Sequence, residues 1–129
     1  MSVKMVDVNQ FVSNLSGGNK QKVVLARWVG KDSDLIILDS PTRGIDVKVK
    51  ADIYAMMNDM RKRGKSIIMI SEEIMELLGM ADRIIVMDEG QVHGFGTHEE
   101  LLKTDEIYRE VYESQTQGGG DFDENGGEA

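Results

Sequence analysis

Three short apolar runs, Leu35–Leu38, Ser66–Ile70 and Arg83–Met87, are separated by stretches whose apolar residues recur at helical spacing. Runs of this length without polar alternation predict strands buried on both faces. Between the first two, Val49, Ile53, Met56, Met57 and Met60 line one side of a helix ending near Arg63-Gly64. Between the second and third, Ile74, Leu77 and Leu78 mark a shorter helix closing at Gly79. Strand–helix–strand–helix–strand order implies a parallel sheet with right-handed crossovers, hence an α/β sandwich.

The flanks extend this pattern. Residues 1–14 have no strong period and read as an irregular lead-in. Ser16 is placed to cap a helix running to about Val29, with Val24, Leu25 and Trp28 on one face. Asp88-Glu89-Gly90 signals a turn, after which Gln91–Gly94 returns as a short antiparallel strand. Thr97 and Glu100 have capping-box spacing. Ile107, Tyr108, Val111 and Tyr112 predict a last helix to about Gln115. The reading is one domain over residues 1–116, followed by a Gly- and acid-rich tail over 117–129 expected to be disordered.

Composition narrows the chemistry. The 129 residues include no cysteine and two histidines, His93 and His98, which removes disulfides and thiolate metal sites and leaves both histidines as surface residues. No apolar run reaches the roughly 18 residues of a membrane span, and Met1–Gln10 has no signal-peptide core. The net charge of −8 is unevenly placed. Residues 1–65 carry 12 Lys+Arg against 7 Asp+Glu, a net of +5, and residues 66–129 carry 3 against 16, a net of −13. The acidic half argues against non-specific nucleic-acid binding. The basic run Arg61-Lys62-Arg63-Lys65 complements a helix C-terminus, and the methionines Met56, Met57, Met60 and Met75 read as core filling.

Two places carry chemistry. Ser16-Gly17-Gly18 offers a hydroxyl and unpaired backbone N–H groups at a helix start, the arrangement that stabilises a phosphate. Asp39 closes the first apolar run, where a carboxylate can hold Mg²⁺ directly or through water. Gly64-Lys65-Ser66 imitates the end of a phosphate-binding loop, but Asp59 stands where its first glycine belongs, and a helix precedes it rather than follows. It reads as a helix cap and strand entry.

Leu15-Ser16-Gly17-Gly18-Asn19-Lys20-Gln21-Lys22-Val23-Val24-Leu25-Ala26-Arg27-Trp28 resembles the signature motif of ABC transporter ATPase domains. The Asn19-Lys20-Gln21-Lys22 form, with Pro41-Thr42-Arg43-Gly44-Ile45-Asp46-Val47 and Ile70-Ser71-Glu72-Glu73, is similar to the second half of the duplicated ATPase subunit of sugar importers. That resemblance covers roughly Asn14 to Gly90. From Gly90 through Gln115 the chain instead resembles the C-terminus of an ABC exporter. The two meet between Met87 and Gly90, an expectation of a recombined reading frame that sequencing a single DNA molecule across the junction tests.

The resemblance implies a partial P-loop NTPase (RecA-like) α/β sandwich lacking the Walker A strand and most of the helical subdomain. It implies that Leu15, Ser16, Gly17, Gly18 and Asn19 contact ATP held by an opposing, Walker A-bearing ATPase domain. Asp39 corresponds to the Walker B carboxylate and Mg²⁺ ligand, and Asp46 to the D-loop. Two positions depart from the family pattern. Ser40 stands where a glutamate normally polarises the attacking water, and Glu72 where a switch histidine normally stands. The implied setting is cytoplasmic, at the inner membrane face beneath a permease, with ATP and Mg²⁺ shared with the partner. A non-catalytic half-site or a truncated chimeric fragment is the alternative.

Overall fold

The computed structural model describes residues 2–117. Of the tail, Gln117 closes the last helix, and residues 118–129 lie outside the described residues. The chain divides into two units, Met1–Ser71 and Glu72–Ala129.

In the first unit a 3-10 turn at Val12–Asn14 leads into helix α1, Gly17–Val29. Ser16 caps it from the extended region, its side chain accepting the Asn19 N–H, as the sequence predicts. Strand β1, Leu35–Asp39, is followed by helix α2, Val47–Lys62, capped by Asp46 through the Val49 N–H. Arg61 and Lys62 sit in its last turn, complementing the dipole. Gly64, at φ +80°, reverses the chain into strand β2, Ser66–Ile70. β1 and β2 pair in parallel with Leu35 opposite Ser66 and Asp39 opposite Ile70.

Burial alternates along both strands, which corrects the expectation of two covered faces. Leu38 is buried, whereas Leu35, Ile37, Ile68 and Ile70 are exposed. Helix α2 packs on β2 and covers one face through a stripe including the buried Ile53, Met57 and Met60. No second layer among the described residues of this unit covers the other. The α1 stripe is likewise shifted by one residue. Lys22 and Leu25 turn toward α2, while Val24 and Trp28 face outward, the indole lying under the Lys31 ammonium. A lysine is buried here because its ammonium pairs with Asp52 of α2 and also donates to the Ser2 carbonyl.

The decoy tripeptide is structural. The Lys65 ammonium bridges Asp32 at 2.8 Å and Asp34 at 3.3 Å, tying the turn before β1 to the start of β2. The Asp32 hydrogen bond is the main reason the Lys65 pKa lies above its usual value.

The second unit begins with helix α3, Ile74–Met80, and a hairpin of strands β3, Ile84–Asp88, and β4, Gln91–Gly96. Glu89 and Gly90 both adopt positive φ, +46° and +78°, matching the right-handed strand twist at a two-residue turn. The apolar pattern of β3 predicts a third strand of the parallel sheet. Within its own unit it pairs antiparallel with β4, the return strand that the Asp88-Glu89-Gly90 turn predicts. A partner two residues away closes with far less loss of chain entropy than a crossover. Helix α4, His98–Thr104, starts at the Thr97–Glu100 capping box, and helix α5, Glu106–Gln117, follows directly. Ile74, Ile84, Leu101 and Tyr108 form the core, joined by Leu77, Leu78, Val86, Leu102 and Tyr112. Met75, expected inside, is 60% exposed, since Ile74 holds the core-facing position.

Neither histidine is an isolated surface group. His93 Nδ1 lies 2.8 Å from Oδ2 of Asp105, itself buried, and His98 Nδ1 lies 2.9 Å from the Tyr108 hydroxyl.

Candidate ATP-facing site

The start of α1 carries the first candidate group. Ser16 Oγ accepts the Asn19 N–H at 3.4 Å and the Asn19 Nδ2–H at 2.9 Å, while Asn19 Oδ1 accepts the Lys4 N–H at 3.1 Å. Leu15 donates its N–H to the Val12 carbonyl at 3.1 Å, closing the 3-10 turn against the helix. Lys4, Met5, Val6, Gln10, Asn14, Leu15 and Ser16 line an open hollow of about 280 Å³ beside it.

The two glycines answer different needs. A Cβ on Gly18 falls 2.8 Å from Val49 Cγ2, so packing of α1 on α2 demands glycine there. A Cβ on Gly17 meets nothing within 4 Å. Packing among the described residues therefore gives no reason for Gly17, whose bare backbone suits close approach by another molecule.

The second group lies at the end of β1. Asp39 is exposed, and its Oδ1 accepts the Ser40 hydroxyl at 3.0 Å. Ser40 is in the left-handed region at φ +46°, held by its N–H on the Ile70 carbonyl at 2.9 Å and its own carbonyl accepting from the Arg43 N–H at 3.2 Å. Pro41 and Thr42 are buried beneath it. Asp46 is exposed at the start of α2, two residues after Gly44 at φ +68°.

Sequence reading missed what joins these groups. Gln21 of α1 donates its Nε2–H to the Pro41 carbonyl at 3.1 Å. With the Gly18–Val49 contact and the Lys22–Asp52 pair, this fixes α1 to both the loop after Asp39 and the first turns of α2. Residues 21 and 22 lie within the motif, but their partners lie 20 and 30 positions away, so no local pattern reveals them. Glu72 belongs to the other unit, and its carbonyl accepts the Gln115 Nε2–H at 2.8 Å.

Residues 2–43, which contain the capped helix and the Asp39–Ser40 turn, match the ABC transporter family. The chain is 55% identical over 95 residues to the ribose import ATP-binding protein RbsA of Lactococcus lactis subsp. cremoris, covering 74% of this chain and 19% of the relative. It is 44% identical over 119 residues to the RbsA of a Bacillus cereus strain, covering 92% and 23%. A bacterial Atm1-family ABC exporter solved with ATP bound superposes with a TM-score of 0.71 at 30% identity, over 81% of this chain and 18% of that one. This chain is part of an ABC transporter ATPase domain. It spans about a fifth of the length of the curated relatives it matches.

Within this ABC ATPase segment, Asp39 fits a Mg²⁺ site of the kind that keeps most of its water. Among the described residues no group of three or more His, Asp or Glu forms a protein cage, and a strand-end carboxylate beside a hydroxyl suits a metal shared with phosphates and water. No described helix of the ABC ATPase segment is long and apolar enough to cross a membrane.

Proposed function

We propose that the chain contributes the signature helix, Walker B strand and D-loop of an ATP-binding subunit of a carbohydrate-importing ABC transporter. In this reading ATP and Mg²⁺ are shared with a Walker A-bearing ATPase domain at the cytoplasmic face of a permease. The relatives named for ribose import support the cargo class, and the carrying observation is the start of α1. Gly17 is a glycine that packing among the described residues does not require, placed between a capping hydroxyl and the free amides of a helix N-terminus. Those groups stabilise an anion arriving from outside.

Each residue then has a task. Ser16 and the Gly17 and Gly18 amides donate to a terminal phosphate, and Gln21 keeps that helix in register with the Asp39 loop. Mg²⁺, when bound, offsets phosphate charge, and Asp39 orients its water shell. Ser40 carries no charge and is a poor base near neutral pH, so water activation falls to the partner.

The test is twofold. Calorimetric titration of MgATP into the chain alone should show no micromolar binding. Ser16→Arg should abolish the chain's stimulation of a Walker A-bearing ATPase domain. Micromolar binding by the isolated chain, or unchanged stimulation by the variant, overturns the reading. A non-catalytic capping half-site is the second reading, favoured by the Ser40 hydroxyl engaging the Asp39 carboxylate where a glutamate normally stands.

A further inference from the structure

Gln115 lies near the end of α5, seven residues beyond Tyr108 and three beyond Tyr112, an exposed residue at the rim of the face that those two tyrosines pack into the core. Its carboxamide reaches back to the segment before α3. Oε1 accepts the Ile74 N–H at 2.8 Å, and Nε2–H donates to the Glu72 carbonyl at 2.8 Å. The side chain thus engages two main-chain groups as an adjacent strand does.

The Ile74 N–H is the first donor of α3 and has no acceptor within the helix. Glu73, in the capping position, makes no side-chain capping bond. A residue 41 positions away supplies the cap instead. The same amide holds the peptide of Glu72, and the packing of Tyr108 and Tyr112 on the core fixes where that amide sits.

We propose that Gln115 is a positioning residue for Glu72, clamping the switch-position peptide and the first turn of α3 to the C-terminal helix. The proposal rests on the reading of Glu72 as the switch position. The clamp couples the switch-position segment to the seating of α5, so displacing α5 frees Glu72.

Hydrogen exchange and carbonyl chemical shifts measured on the full chain test the clamp without nucleotide. Gln115→Ala should speed exchange of the Ile74 amide about fivefold, as loss of one net hydrogen bond predicts, and leave Ile84 and Val86 unchanged. Gln115→Glu keeps an acceptor for Ile74 but loses the donor, so Ile74 stays protected while the Glu72 carbonyl resonance shifts. Unchanged Ile74 exchange in Gln115→Ala overturns the clamp. With a Walker A-bearing ATPase domain, Gln115→Ala should lower the chain-dependent kcat about fivefold with KM for ATP unchanged, and Gln115→Glu should fall between. Faster Ile74 exchange with unaltered kcat overturns the positioning role. Absence of stimulation by the unmodified chain overturns the functional reading beneath it and leaves the clamp standing on the exchange data.

Discussion

Substituting Gly18 with alanine tests the joint between α1 and α2. The new methyl falls 2.8 Å from Val49 Cγ2 and 3.3 Å from Cγ1, both inside normal contact. Val49 occupies the third position of α2, where a branched side chain is confined to essentially one rotamer and does not swing aside. The helices must separate. Overpacking of this kind costs about 1–3 kcal/mol, against at most about 1 kcal/mol gained from alanine over glycine in a helix. Gly18→Ala should therefore destabilise the chain by about 1–2 kcal/mol. Val49→Ala removes two partly buried carbons at about 1 kcal/mol, yet opens the space the methyl needs. The double variant should show a favourable coupling of at least about 1 kcal/mol. Gly17→Ala, with nothing within 4 Å of its Cβ, is the control and should leave stability unchanged or raise it by up to about 1 kcal/mol. Urea unfolding of the four variants measures all of this. An unchanged midpoint for Gly18→Ala, or strictly additive effects with Val49→Ala, refutes the contact.

Ser40→Glu should raise ATP turnover only when a Walker A-bearing domain is present, read as phosphate release with and without it; a gain in the isolated chain contradicts the shared site. His93 has its pKa raised, chiefly by the hydrogen bond to Asp105 and then by that carboxylate's charge. Burial acts to raise Asp105, but the Tyr108 N–H and His93 outweigh it and leave that carboxyl below its usual range. A raised histidine stabilises fully below its ordinary value of 6.5 and loses that contribution as pH rises through the folded value. The Tm advantage of the native chain over His93→Gln should accordingly be largest at acidic pH and shrink on titrating upward from about pH 6.5, and a constant difference rules the pairing out.

Much of the site was legible because its signals are local. Ser16 just before the α1 stripe, Thr97 three before Glu100, and Gly64 after Arg63 are capping patterns written over a single turn, and each forms as read. The order of Leu15–Asn19, Asp39 and Asp46 likewise needs only spacing. Strand positions were legible for the same reason, since apolar runs report burial.

Which surface buries a run is another matter. Ile37 and Ile68 read as core, yet they sit exposed at opposing register positions because one helix layer covers one face of a two-stranded sheet. Arg83–Met87 was recognisable as a strand, and so was its antiparallel partner, because the Asp88-Glu89-Gly90 turn joins the two over a few residues. The amino-acid sequence by itself determined the elements, the caps of α1 and α4 and the order of the candidate motifs, all set by residues a few positions apart. Only the tertiary structure decided that Gly18 meets Val49, Gln21 holds Pro41, and Gln115 holds Glu72. Those contacts join residues 20 to 43 positions apart, and their strength comes from the packing of whole helices.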